Sequence, residues 1–201
     1  YILIPMDEDQ KDHLKAYGIT YWVLEKNVDT YWLINYRGGR FAFQNNTVLE
    51  KESKTSNVSN EVFADVQCNN ILSQISKPEI NQDEIKLEVA PQIAVYTPEF
   101  NQRGDRMQPW YDAVTLVLTY AEIPYETFYD REVLEDRLAE FDWLHLHHED
   151  FTGQYGKFYA SFANAQWYID QQLLYEQDAK KNGFKKVSEM MRAVSIDIKN
   201  Y

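Results

Sequence analysis

The sequence predicts an α/β protein with a parallel, doubly wound sheet in its C-terminal half. Three observations carry that expectation. From Gln92 onward short apolar strands alternate with helical patterns, the run that builds parallel sheets. The N-terminal third is rich in β-branched and aromatic residues, as strands are. From about Phe158 the pattern is helical again.

Taken in order, YILIPM (1–6) reads as a strand, and DQKDHLKAYG (9–18) as a short helix stopped by Gly18. ITYWVL (19–24) and DTYWLINY (29–36), separated by the polar turn EKNV, read as a hairpin or as neighbouring strands, and RGGRFAF (37–43) as another extended piece. Residues 1–50 thus form a β-rich subregion. QNNTVLEKESKTSNVSN reads as a loop by composition. Residues 51–90 read as a polar connector with a possible helix over 61–75.

QIAVYTP opens the α/β domain expected over 91–201. A helix follows over 109–123, with Pro109 in its first turn. Its residues Ala113, Leu116, Val117 and Tyr120 keep the spacing of one helix face. IPYETFYD (123–130) is the next strand, REVLEDRLAEF (131–141) a charged helix, and DWLHLHH (142–148) the third strand. Two helices complete the chain: one ends at Gly183, and the other is capped at Ser188 or just before it.

Composition narrows the partners. The 201 residues are 44% hydrophobic and 15% aromatic, enough for a buried core. A net charge of −12 argues against nucleic acid, which needs a cationic surface, and against an anionic membrane face. No apolar run reaches the roughly 18–20 residues of a membrane span. The single Cys68 excludes an internal disulfide and a Cys-based zinc cage, and reads as a small buried residue. Because the first residue is Tyr1 and not Met, a removed leader is expected.

In a parallel sheet, ligands sit outside the carboxyl ends of the strands. Three loops take that position: EFNQRGDRMQPW after the first strand, Asp130 with Arg131 after the second, and HEDFTGQYGKFY after the third. The first contributes Arg103 and Asp105 as binding candidates. The third contributes His147, His148, Glu149 and Asp150, with His145 inside the strand. His145 and His147 share one strand face and can hold a proton near neutral pH or, as weak candidates, a divalent metal. A hydrogen-bonded structural role for them stands beside these. Gly153 and Gly156 can free backbone amides for an anion beside Lys157, or simply shape a loop. Arg37 and Arg40 around Gly38-Gly39 can clamp a carboxylate, although a tight turn between strands explains the same residues. No G-x-S-x-G elbow is present.

YILIPMDEDQKDHLKAYGITYW, WLINYRGGRF, YTPEFNQRGDRMQPWYDAVTLVLTYAEIPYE and DWLHLHHEDFTGQYGKFY together resemble a family of exported Bacteroidetes proteins labelled "asparagine synthetase B". The N-terminal cysteine nucleophile and pyrophosphate-binding loop of that enzyme have no counterpart in the sequence. From Gln92 the order of elements is similar to the class I glutamine amidotransferase-like fold, a relative of the flavodoxin-like fold. The resemblance implies location in the periplasm or cell envelope and a chain continuing past Tyr201 into the nucleophile strand. It assigns no nucleophile here, so enzymatic activity stays open. Two functions are expected. One is binding of a small polar ligand or cell-envelope fragment at the rim, with hydrolysis when the domain is complete. The other is a non-catalytic envelope component that binds a protein partner. No cofactor is expected beyond the metal alternative.

Overall fold

The computed structural model describes residues 1–45, 47–77, 79–98, 101, 105–146 and 162–201. It is a mixed α/β protein whose described strands form one antiparallel and one parallel sheet. The chain divides into two compact units, Tyr1–Ala90 with Val117–Ile123, and Pro91–Leu116 with Pro124–Tyr201.

The first unit is built on an antiparallel sheet of order β4-β1-β3-β2-β5. Its strands are β1 (Ile2–Ile4), β2 (Thr30–Ile34), β3 (Arg40–Phe43), β4 (Glu61–Val62) and β5 (Asp83–Leu87). Alternation along β1 sends Ile2 and Ile4 to one face and Leu3 to the other, and all three are fully buried. Ile2 and Ile4 pack with Phe41, Phe43 and, from helix α1 (His13–Glu25), Ala16, Ile19 and Val23. Leu49 of helix α2 (Thr47–Thr55) and Val58 join the same cluster. Leu3 packs with Leu33, Ala42 and Ile75, the last from helix α3 (Asp65–Ile75). Both faces of this sheet are therefore covered.

Five expectations are corrected here. ITYWVL is the second half of α1, not a strand, because Ala16, Ile19, Thr20 and Val23 bury one helical stripe. That burial outweighs the strand preference of β-branched and aromatic residues. Gly18 does not stop the helix. It lies inside α1, where a Cβ would stand 1.8 Å from the Ala121 carbonyl oxygen. The hairpin joins β2 to β3 instead. The polar segment after Phe43 contains α2, anchored by buried Leu49 and Ser53, with a Glu50–Lys54 pair at 2.7 Å on its outer side. Residues 83–87 are edge strand β5, paired along β2 and needing little apolar surface.

Charge ties the β2–β3 turn to its surroundings. Arg37 takes a left-handed backbone (φ 45°), followed by Gly38 and Gly39 at 80° and 88°. A Cβ at Gly38 would meet the backbone of Met6 and Asp7 at 2.6 Å, so glycine is required there. Arg40 is 1% exposed and donates to both Glu61 carboxylate oxygens, at 3.2 and 3.1 Å. Glu61→Gln leaves that buried guanidinium without its carboxylate. Since Glu61 is itself partly solvated, the expected loss is about 1–2 kcal/mol of first-unit stability, measured by chemical denaturation. An unchanged midpoint would show that water replaces the pair at no cost.

The second unit holds β6 (Ile93–Tyr96), β7 (Glu126–Phe128) and β8 (Trp143–Leu146), parallel and in the order β7-β6-β8. Helix α4 (Ala113–Ala121) follows β6, and α5 (Asp130–Leu134) follows β7. The predicted helix over 109–123 begins as a 3-10 turn at Pro109–Tyr111, and α4 starts only after Asp112 caps it. The predicted helix over 131–141 is likewise two pieces, α5 and a 3-10 turn at Arg137–Glu140, divided by Asp136 in the left-handed region. Helices α6 (Gln166–Lys181) and α7 (Val187–Asn200) follow, and Lys186, just before Ser188, is the cap of α7. Ala94, Tyr96 and Phe128 pack with Val133, Leu138 and Val194 on one sheet face. Ile93 and Val95 point to the other face and are buried as well.

Candidate functional site

Strand register decides what reaches the carboxyl ends of the parallel strands. Val95 stands opposite Thr127 and His145, while Tyr96 stands opposite Phe128 and Leu146. Thr97, next along β6, returns to the face of Val95 and Thr127. On that face lies a cleft of about 320 Å³, at the lower end of the volumes that small-molecule sites occupy.

The cleft wall comes from four pieces of chain. Thr97 enters from the end of β6, with its amide donating to the Phe128 carbonyl at 2.9 Å. Tyr125 and Thr127 enter from β7 and the residue before it. Arg106, Met107, Gln108 and Pro109 form the approach to α4, and Asp112 with Thr115 forms its first turn. Asp112 Oδ1 accepts from the Val114 and Thr115 amides at 2.8 and 2.9 Å, so the helix N-terminus is already capped by a carboxylate. The Thr115 hydroxyl donates to the Pro109 carbonyl at 2.7 Å, which keeps its lone pairs as acceptors. One guanidinium, one carboxylate, a primary amide and several hydroxyls surround this space. Such a wall suits a neutral or zwitterionic polar molecule.

The opposite face carries a buried acid. Asp130 begins α5 immediately beyond β7 and is 7% exposed. The Tyr96 hydroxyl donates to its Oδ1, while Oδ2 has no hydrogen-bond partner among the described residues. Burial pushes this carboxyl up to about 6, with the Asp178 and Glu132 carboxylates adding to the rise and the Tyr96 hydroxyl opposing it. Tyr129 stacks at a tilt on Tyr96, with ring centroids 4.9 Å apart, and its hydroxyl lies 3.1 Å from that of Tyr175 on α6. A carboxyl held near 6 at the carboxyl edge of a parallel sheet can gain or lose a proton at ordinary pH.

Of the binding candidates that the sequence nominated, the structure describes His145, Asp105 and Arg37. His145 lies half-buried on β8, on the face of Val95, edge-on to Trp143 at 6.2 Å. Asp105 closes a small loop with Asn101 through a 2.9 Å amide bond and a 3.2 Å side-chain bond. Arg37 lies in the first unit and pairs with Asp7 at 3.1 Å, Asp9 at 2.5 Å and Glu61 at 3.3 Å. His147, His148, Glu149, Asp150 and Arg103 lie outside the described residues, as do Gly153, Gly156 and Lys157. Among the described residues no group of three His, Cys, Asp or Glu side chains is arranged to hold a metal ion. None of their helices is long and apolar enough to cross a membrane. Cys68 is buried on α3, which pushes its thiol up.

Sequence reasoning did place Asp130 and the approach to α4 at the rim. It missed Thr97, Thr115, Tyr125 and Thr127, lone polar residues with no spacing to mark them. It also missed Tyr175 and Asp178, which α6 brings to Asp130 from more than forty residues away. Comparison with known proteins yields no match to this chain, whether among protein-family models, curated proteins or solved structures.

Proposed function

We propose that the second unit is a flavodoxin-like, amidotransferase-like domain that binds a small polar ligand or cell-envelope fragment in the cleft beside β6. The observation that carries this reading is the cleft itself. It is a polar space of suitable size, walled by Thr97, Arg106, Asp112, Thr115 and Thr127 at the carboxyl side of the sheet. The order β7-β6-β8 supports the doubly wound reading, because β6 is flanked by strands added in opposite directions. The resemblance of the sequence to exported envelope proteins supports a periplasmic or envelope location, and nothing more. Binding, not a reaction, is the function proposed.

Amide resonances of the labelled protein test this with a panel of small neutral and zwitterionic molecules: amino acids, primary amides and sugars. At least one member should shift the amides of Thr97, Gln108, Thr115 and Thr127 saturably, with Arg106→Ala weakening it. Shifts clustered elsewhere, or none at millimolar concentration, would reject the cleft as a binding site.

A further inference from the structure

Two largely exposed aromatic side chains belong to the turn that borders the cleft. Trp110 is 63% exposed and Tyr111 61%, and their rings meet edge-on with centroids 6.1 Å apart. Both belong to the 3-10 turn that begins at Pro109, and the residues on either side of the pair, Pro109 and Asp112, line the cleft. The turn is held in place: the Tyr111 amide donates to the Gln108 carbonyl at 2.9 Å, and Thr115 Oγ1 to the Pro109 carbonyl. Large apolar rings kept in water on a fixed turn cost free energy that binding can recover.

We propose that the cleft takes a neutral saccharide, with Trp110 and Tyr111 as the platform for a pyranose ring and the polar wall as its hydroxyl reader. This deepens the binding function proposed above and rests on it. A pyranose has a face of polarised C–H groups, which the negative face of an aromatic ring attracts, and an edge of neighbouring hydroxyls. Each hydroxyl both donates and accepts, so its reader needs both kinds of group close together. Arg106 supplies donors, Asp112 and the Thr115 hydroxyl acceptors, and Gln108, Thr97 and Thr127 both. A zwitterion would match Arg106 and Asp112 but would leave the aromatic pair without a use.

The test titrates the labelled protein separately with glucose, with the β-linked trimer of N-acetylglucosamine, and with L-glutamine. The expected result is saturable shifts of the Thr97, Thr115 and Thr127 amides and of the Trp110 indole N–H with at least one sugar. Trp110→Ala should weaken that sugar about tenfold, and Thr127→Val should weaken it too, whereas Trp167→Ala on α6 should not. If glutamine moves the cleft amides and neither sugar does, the saccharide assignment falls and the cleft stands. If no member of the wider panel moves them, both fall. Sugar binding that is indifferent to Trp110→Ala would overturn the platform.

Discussion

Replacing Asp130 by asparagine is expected to stabilise the second unit at about pH 7.5 by about 2 kcal/mol and to change it little at about pH 4. The carboxyl sits at about 6 in the folded protein, above its ordinary value of 3.8, because burial disfavours its charge. A raised carboxyl contributes stability that is fully present below about pH 4, where folded and unfolded chains both hold the proton. That contribution is lost as the pH rises through about 6, because the unfolded chain ionises first. The shift corresponds to at most about 3 kcal/mol. Asparagine still accepts from Tyr96 at one atom but buries an amide where Oδ2 has no partner among the described residues, which lowers the expected gain. Urea denaturation of both proteins at the two pH values, followed through tryptophan fluorescence, gives the difference directly. A variant less stable at the higher pH would mean that the ionised carboxylate is well solvated or partnered. A gain would mark Asp130 as a position where the fold tolerates a charge it would be more stable without, a pattern common at functional sites.

The second large effect has the opposite sign from its usual rule. Alanine in place of a glycine inside a helix ordinarily adds about 1 kcal/mol. At Gly18 the same change should cost the first unit about 3 kcal/mol, because the new methyl would overlap a backbone carbonyl. The obstacle is the Ala121 oxygen, 1.8 Å from the position of that methyl. Neighbouring contacts oppose an easy retreat. Lys15 pairs with Glu122 at 2.7 Å and lies over the Tyr120 ring, whose hydroxyl donates to Asp12. Asp12 in turn caps α1 by accepting from the Lys15 amide, an interaction that holds its carboxyl below the usual range. Denaturation midpoints of Gly18→Ala and the parent measure the cost. A raised midpoint would remove the close approach of α1 to the end of α4.

How much of this was legible depends on what each segment needed. β6 and β8 are short, mainly apolar runs set off by helices, and β7, in which only Phe128 is buried, was legible from its place between two helical segments. α1 and α2 were hidden for opposite reasons. Ile19, Thr20 and Tyr21 carry strand preferences that tertiary burial overrides, while α2 is polar except for exposed Val48 and the anchor Leu49. β5 is an edge strand whose pairing runs through backbone groups, and no side-chain pattern announces those. The position of the site at the carboxyl edge followed from topology alone. Its wall did not, because Thr97, Thr115 and Thr127 meet only after strand register and the α4 cap bring them together.

The place of β1 in its sheet has a consequence for the order of folding. Ile2, Leu3 and Ile4 pair on one side with Phe43, Ala42 and Phe41, and on the other Ile2 and Leu3 pair with Val62 and Glu61. Both neighbours lie far along the chain, so β1 waits long after its own synthesis for its partners. Such non-local closure makes for a slow and cooperative search. A nascent chain can form the β2–β3 hairpin and α1 early and add β1 once residues 41–43 exist, but the edge strands β4 and β5 wait for residues 61–62 and 83–87. Deleting residues 2–4 would therefore do more than remove one strand: it would also leave β4 without its neighbour, parting it from β3.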